Sequence, residues 1–176
     1  NRLRAYRQSI LKHAFAGKLT NEVYDNELPS GWRFENFEDC TINFDGKRIP
    51  LSKAVREQRK GNFRYYGATG IIDYVDDYIY EGRYLLIGED GANLLSKARE
   101  LAFIVEGKFW VNNHAHIVKA KEGYHLDYLY HYFNSLDLAK YVTGSAQPKL
   151  TQANLNKIPV PIPPSIEEQI EISQEL

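Results

Sequence analysis

The chain has 176 residues, of which 43% are hydrophobic and 26% charged, and its formal net charge is −1, which fits one soluble globular domain. No apolar run approaches the ~18 residues of a membrane span, and no signal-peptide pattern opens the chain, so we expect no membrane association. The single cysteine, Cys40, excludes an internal disulfide and a zinc knuckle, so we expect a reducing, cytoplasmic setting.

The first predicted element is a helix over residues 2–16, because apolar side chains that include Leu3, Ile10 and Leu11 recur at three- and four-residue spacings. This helix has no N-terminal cap, and the chain contains no methionine. We therefore expect the chain to be a fragment of a longer protein, with residues 1–18 forming the end of a longer helix.

The middle of the chain predicts a sheet. Four short segments are rich in β-branched and aromatic residues and are bounded by glycine or charged residues, as is typical of strands. These segments are residues 71–75, 84–87, 101–105 and 115–118. Just after the third segment, Glu106-Gly107-Lys108 predicts a hairpin turn.

The C-terminal third predicts helices joined by a stiff connector. Residues 125–142 indicate a helix with an apolar face made of Leu126, Leu129, Tyr130, Phe133 and Leu136. Thr151 is a natural cap for a short helix over residues 151–158. The prolines of residues 159–164 then predict an extended strut, because proline fixes its backbone and lacks an amide donor.

A capping box, Ser165 to Glu168, starts the last predicted helix, with Ile166 and Ile170 on one side. The ends of the chain have two interpretations: both terminal helices pack on their own domain, or both continue into a coiled-coil spacer. The abrupt ends favour the spacer. Exposed apolar stripes would then bind partner helices or form a homodimer; the candidate partner-helix residues are Leu3, Ile10, Leu11, Ile166 and Ile170.

The fold class that follows is α+β. A β-rich domain over residues 19–163 would lie between the helix end at residues 1–18 and the start of a distal helix at residues 164–176.

Catalytic motifs are mostly absent: the sequence has no phosphate-binding loop, no dinucleotide fingerprint and no serine nucleophile elbow. Asp90, Glu106 and Lys108 form a loose pattern that could hold Mg²⁺ for phosphodiester cleavage, although Glu106-Gly107-Lys108 is also ordinary turn material. His114 and His116 alternate on a predicted strand and could begin a metal site, but no third ligand is evident. We therefore expect no catalysis, metal or cofactor in this chain.

Charge is segregated along the chain, and this is the main functional signal. Residues 47–64 contain one acid and seven basic residues: Lys47, Arg48, Lys53, Arg56, Arg59, Lys60 and Arg64. Clustered cations neutralise DNA phosphates, and arginine also pairs with guanine in the major groove. This pattern predicts contact with double-stranded DNA, with Lys97 and Arg99 as weaker additions, whereas the alternative is an adaptor that binds an acidic protein. The DNA hypothesis fails if acids of residues 73–90 pair with most of these cations.

A polar loop over residues 144–152 is the second candidate for contact with DNA. Gln147 could read adenine edges, and Lys149 could hold a phosphate near the start of the following helix. The alternative is a turn that only positions the proline strut.

Several segments in a fixed order carry a resemblance to a known family. They are YYGATGII at 65–72, YLLIGEDGA at 84–92, VNNHAH at 111–116, GSAQPKL at 144–150 and IPVPIPP at 158–164. Together with RQSILK at 7–12 and GKL at 17–19, they make nearly the whole chain resemble the specificity subunit of Type I restriction–modification systems.

The resemblance implies two DNA-recognition domains per subunit, separated and followed by long spacer helices, each reading half of a split site. This chain would hold the end of the central helix, the second recognition domain and the start of the distal helix. The implied partners are a methylation subunit that uses S-adenosylmethionine and a restriction subunit that uses ATP and Mg²⁺, and neither chemistry is expected in this chain. The residues that read bases vary within the family, so the resemblance implies no particular base contacts.

Overall fold

The structure is a computed structural model that describes residues 9, 10, 13–16, 28–144 and 146–176. The predictions for Leu3 and Leu11 therefore lie outside the described residues. Its elements in chain order are β1 (Arg33–Asn36), α1 (Phe37–Cys40), β2 (Thr41–Asn43), a 3-10 turn (Asp45–Lys47), α2 (Lys53–Gln58), β3 (Lys60–Gly67), β4 (Gly70–Val75), β5 (Tyr80–Gly88), α3 (Asn93–Ser96), β6 (Ala102–Val111), β7 (Ala115–Ala120), α4 (Leu126–Ser135), α5 (Gln152–Asn156), β8 (Pro159–Ile162) and α6 (Ile166–Gln174). Within these ranges, no helix is both long and apolar enough to cross a membrane.

Six strands form the main sheet, in the order β2-β7-β5-β6-β3-β4. Neighbouring strands are antiparallel except for β3 and β6, which run parallel. The four predicted strands are confirmed within β4, β5, β6 and β7. Together with the helices, this confirms the α+β class.

The predicted hairpin turn at Glu106-Gly107-Lys108 is wrong, because β6 continues through it from Ala102 to Val111. Gly107 lies directly opposite Gly82 of β5, and their φ angles are +88° and +121°. Only glycine adopts such angles without strain, and the register of β5 and β6 continues through this pair without a break.

A second core lies on the face of β5 opposite to Leu85 and Ile87. The strands β6 and β7 flank the same end of β5, since Ala102 pairs with Ile87 and Ala115 with Gly88. This second core consists of the buried residues Tyr66, Tyr80, Tyr84, Leu86, Val105, Phe109, Val111, Ala115 and Ile117. Edge-on aromatic contacts, such as Tyr84 to Phe109 with 5.6 Å between ring centroids, hold this core together.

Helices cover the outer side of β5 and β7, and α4 is the principal one. It ends at Ser135 instead of residue 142, and its buried residues are Leu126, Tyr128, Leu129, Tyr132 and Phe133. The predicted face was therefore partly wrong, since Tyr130 and Leu136 are only half buried. The Asn134 side chain accepts the Leu101 amide at 2.7 Å and donates to the Ala102 carbonyl at 2.9 Å, which fastens the end of the helix to β6.

The proline strut is extended, as predicted, and forms β8, which pairs antiparallel with β1 in a separate two-stranded sheet. Both predicted caps are confirmed, since Thr151 accepts from the Asn154 amide and Ser165 from the Glu168 amide, each at 3.2 Å. The inward face of α6 differs from the prediction: Gln169 and Ile172 are buried.

Ile166 and Ile170 lie beside that inward face and are half buried, as is Ile10, which is helical. Their contact with partner helices stays a prediction, as do the domain boundaries at residues 18 and 163.

Candidate nucleic-acid interface

Four polar segments that are far apart in sequence meet at one end of the main sheet. We call this surface the loop end; its described residues are 67–70, 88–93, 112–114, 144 and 146–150. Backbone hydrogen bonds join the segments: Asn112 donates to Tyr66 at 3.1 Å, Glu89 to His114 at 2.9 Å and Leu150 to Glu89 at 2.8 Å. The loop end is therefore a single surface with a fixed framework.

On the side of β3 and β4, two backbone segments of the loop end are in close contact. A Cβ atom at Gly88 would lie 3.0 Å from the Ala68 carbonyl oxygen, so the turn between β3 and β4 rests directly on the end of β5. A larger residue would push the two segments apart.

Behind the loop end lies a group of charged side chains that we call the charge network: Asp45, Arg48, Glu89, His116 and Lys149. Arg48 donates to Glu89 at 2.6 Å and to the Ala115 carbonyl at 2.8 Å. His116 Nδ1 lies 2.6 Å from Asp45, and Lys149 lies 3.2 Å from Glu89. Except for the half-exposed Lys149, these side chains are at most 14% exposed, so their charges compensate each other out of water.

The carboxylates of the charge network have the spacing of a metal site, but their partners fill it. Asp45, Glu89 and His116 form the one such cluster among the described residues, with ligand atoms within 4.8 Å of one another. Arg48 contacts both carboxylates, and it would have to leave before an ion entered. The guanidinium of Arg48 thus occupies the position between the two carboxylates that a metal ion would take.

The loop over residues 144–149 presents the two polar side chains that the sequence singled out. Gln147 and Lys149 are both exposed. Lys149 pairs with Thr143 through two backbone hydrogen bonds of 2.8 and 2.9 Å, and Gly91 donates to the Pro148 carbonyl at 3.0 Å. The base of the loop is therefore fixed, while its tip faces solvent.

The basic segment, residues 47–64, does not belong to the loop end. Its first part packs on the outer face of β3 and β6. We call residues 49–60 the strap. The Trp110 indole donates to the Ile49 carbonyl at 2.6 Å. The guanidinium groups of Arg56 and Arg59 lie over the rings of Tyr65 and Trp110, 5.1 and 5.0 Å from the centroids. These arginines act as packing residues as well as charges.

Acidic residues of β4 and the segment after it neutralise the strap. Arg56 and Lys60 both bind Asp73, at 2.9 and 2.7 Å, and Arg59 binds Asp76 at 2.8 Å. The Lys60 hydrogen bond, followed by the Tyr74 amide and Arg56, lowers the pKa of Asp73 to about 2.

Four of the seven predicted phosphate contacts are therefore paired with acids of residues 73–90: Arg48, Arg56, Arg59 and Lys60. This is the pairing that the DNA hypothesis required to be absent, so the expectation of a free basic face on residues 47–64 was wrong. Whether individual cations of the segment contact DNA stays a prediction.

The remaining predicted cations are dispersed. Lys53 is 84% exposed and lies 3.9 Å from Glu57, and Lys47 is exposed beside the Phe44 ring. Arg64 hydrogen-bonds to the Glu106 carbonyl, away from the loop end.

Lys97 and Arg99 follow α3. Lys97 donates to the Leu136 carbonyl at 2.6 Å, whereas Arg99 is exposed and lines an open depression of about 380 Å³ beside Thr69 and Ile71. Lys47, Arg99 and Lys149 are exposed. Of these, Lys149 belongs to the loop end, and Arg99 borders it beside Thr69.

No contact in the described part of the structure brings the three alternative catalytic residues together. Asp90 follows β5 and binds His114 at 2.7 Å, whereas Glu106 binds Arg83 at 2.6 Å near the glycine pair, and Lys108 lies 4.0 Å from Glu81. Nothing supports a nuclease site formed by these three residues.

The two candidate metal histidines also separate. His114 is exposed in the turn before β7, and His116 is buried in the charge network. Sequence reasoning missed Asp45 and Glu89, although Asp45 lies two residues before the basic segment and Glu89 lies inside the GEDGA motif.

The family model for the Type I restriction modification DNA specificity domain matches residues 29–176. A Haemophilus influenzae protein described as a type I restriction enzyme specificity subunit is 42% identical over 124 residues, which cover 70% of this chain and 31% of that protein. The specificity subunit of the Escherichia coli EcoprrI restriction enzyme is 32% identical over 161 residues, which cover 80% of this chain and 39% of that subunit. The chain thus spans about a third of the length of these relatives.

Solved structures share the fold. The crystal structure of the S subunit of a Type I restriction-modification system from M. genitalium superposes with a TM-score of 0.72 at 17% identity, over 97% of this chain and 45% of that one. The HsdS subunit from Thermoanaerobacter tengcongensis gives a TM-score of 0.60 at 17% identity, over 99% of this chain and 44% of that one.

Proposed function

Since the chain belongs to the family of Type I restriction modification DNA specificity domains, we propose that it recognises a DNA sequence through the loop end and performs no catalysis itself. The observation that carries this proposal is the convergence of four segments on one surface that exposes polar side chains, among them Gln147 and Lys149. Beneath these side chains, backbone hydrogen bonds join the four segments, for example from the Leu150 amide to Glu89.

The chemistry of the loop end suits base reading better than bulk electrostatic attraction. The loop end carries no excess of positive charge, because the acids Glu89 and Asp90 accompany Lys149. Sequence-independent affinity comes from phosphates and needs excess positive charge, whereas a glutamine amide reads an adenine edge with two hydrogen bonds. Lys47 and Arg99, whose side chains are exposed, supply the phosphate contacts that orient the duplex.

The proposed partners follow from the family. A methylation subunit that binds S-adenosylmethionine and a restriction subunit that uses ATP and Mg²⁺ would act on the site that this chain selects, in the reducing cytoplasm. Half-buried apolar residues on the terminal helices, Ile10, Ile166 and Ile170, offer the surface for those contacts or for a second copy of the chain.

The test is selection of bound duplexes from a randomised pool, followed by anisotropy titrations with a selected and a scrambled duplex. Gln147→Ala should weaken binding of the selected duplex roughly ten- to a hundredfold and leave the scrambled duplex nearly unchanged. Lys149→Ala should weaken both and reduce the slope of log affinity against log salt by about one.

Lys157→Ala is the matched control, because Lys157 is an exposed lysine that follows α5 and takes no part in the loop end. Failure to enrich any sequence, or equal effects of Lys149→Ala and Lys157→Ala, would overturn the proposal.

A further inference from the structure

His116 is the most deeply buried side chain of the network, and its ring touches the base of the 144–149 loop. Its ring is 1% exposed, with Nδ1 2.6 Å from Asp45 Oδ2 and Nε2 2.8 Å from the Leu150 carbonyl oxygen. Both neighbours are hydrogen-bond acceptors when Asp45 is ionised. A neutral imidazole donates only one hydrogen bond, so both contacts require protons on both nitrogens.

Asp45 is held in its ionised form by its surroundings. Burial alone would raise the pKa of the Asp45 carboxyl, but His116, the Ile117 amide and Arg48 together hold that pKa below its ordinary value. The Ile117 amide donates to Oδ1 at 2.9 Å, and Arg48 lies 3.4 Å from Oδ2. The acceptor opposite His116 Nδ1 is therefore a carboxylate.

Two chains of side-chain contacts connect the 3-10 turn and the residue after it with the point where the 144–149 loop rejoins the sheet. The first runs from Asp45 through His116 to the Leu150 carbonyl, and the second from Arg48 through Glu89 to Lys149. The two chains of contacts end on the neighbouring residues Leu150 and Lys149. A shift at this point moves Gln147 relative to the duplex.

We propose that His116, protonated on both ring nitrogens, is a positioning residue that fixes the 144–149 loop for DNA sequence discrimination. This inference rests on the proposed function of the loop end. His116 reaches no solvent and contacts no DNA; it acts through the Leu150 carbonyl.

The charged groups that face the ring come from every element packed against it. They are Asp45 from the 3-10 turn, Glu89 at 3.8 Å from the end of β5, and beyond them Arg48 and Lys149. Two acids and two bases remain without the imidazole, so a neutral replacement leaves the rest of the network balanced.

A matched pair of neutral variants separates the two contacts of the ring. In His116→Gln the amide nitrogen takes the place of Nε2 and still donates to Leu150, whereas in His116→Asn it takes the place of Nδ1 and reaches only Asp45. The ratio of affinities for a selected and a scrambled duplex should fall about tenfold in His116→Asn and stay within about threefold of wild type in His116→Gln.

Hydrogen exchange gives a readout that needs no DNA. The Lys149 and Leu150 amides, which are bonded to Thr143 and Glu89, should exchange faster in His116→Asn than in His116→Gln at equal unfolding midpoints. Equal exchange and equal affinity ratios in both variants would mean that His116 only stabilises the fold, and the inference would be overturned.

Nitrogen-15 NMR of the wild-type histidine rings tests the protonation without any substitution. Two bonded protons on His116 at neutral pH support the inference, and a single proton overturns it. A wild-type chain without any DNA sequence preference would instead refute the proposed function, and the proton count and exchange rates would still decide whether His116 holds the loop.

Discussion

The strap and the loop end both contain charged residues, but they use charge in opposite ways. In the strap, arginines lie over aromatic rings and bind acids of β4 and of the segment after it, so the densest run of positive charge in the sequence fastens the strap to the sheet. In the loop end, charges are compensated behind the surface, while polar groups at the tip face solvent. Density of charge along a sequence is therefore a poor guide to which charges are left unpaired at the surface of the fold.

The difference has an energetic side. Ion pairs that are mostly exposed contribute little, since water and salt screen them, whereas breaking a buried pair leaves an uncompensated charge out of water. The comparison therefore predicts that single substitutions should be costly in the charge network, moderate where the strap contacts β4, and nearly neutral at the exposed edge of the strap.

The largest effect is expected for Arg48→Ala, because it leaves both Asp45 and Glu89 without their shared cation. The free energy of unfolding should fall by about 3–5 kcal/mol, measured by urea denaturation. Lys47→Ala is the control: its side chain is exposed and contacts only the Phe44 ring among the described partners, so a loss below about 0.5 kcal/mol is expected. Similar losses in both variants would erase the proposed difference between buried and exposed cations.

An intermediate, pH-dependent effect is expected for Asp73→Asn, which detaches Arg56 and Lys60 from β4. The folded chain lowers the pKa of Asp73 from 3.8 to about 2, so its ionised form is favoured by folding. Its contribution to stability is complete above about pH 4 and is lost as the pH falls towards 2.

Unfolding free energies of wild type and Asp73→Asn should accordingly differ by a constant amount above about pH 4 and converge near pH 2. A difference that persists at pH 2 would show that Asp73 acts through packing and not through its charge.

The smallest effect is expected for Lys53→Ala, at the exposed edge of the strap. Lys53 lies 3.9 Å from Glu57, one helical turn away, and alanine is the better helix former. The thermal midpoint should stay within about 1 °C of wild type. A large loss of stability would mean that exposed cations also hold the strap, and the contrast with Arg48 would disappear.

The sequence predicted correctly those elements that are determined by residues within a few positions of one another. Thr151 and Ser165 cap their helices through their own side chains, and alternating prolines impose an extended strut wherever they occur. The hairpin turn at Gly107 was mispredicted because a glycine that ends a strand looks the same in sequence as one that faces Gly82 in a neighbouring strand. The long helix was overextended because its end depends on the contact of Asn134 with β6.

The candidate site was predictable only in part, for the same reason. Gln147 and Lys149 were identified because a polar loop precedes a capped helix. The pairing of Lys60 with Asp73 depends on the register of β3 and β4, and the meeting of Asp45, Glu89 and His116 depends on how three distant segments return to one point. Neither is encoded in spacing along the chain.

The two-stranded sheet of β1 and β8 has a consequence for association with other chains. In β8, only Val160 and Ile162 have amide groups that can donate hydrogen bonds to β1. Pro159 and Pro161 alternate with them and have no amide donor for the opposite edge. The carbonyls of these prolines accept hydrogen bonds from Tyr132 and Tyr128 of α4. An incoming strand would find neither donors nor free acceptors along these residues, so this edge is protected against the edge-to-edge growth that leads to aggregates.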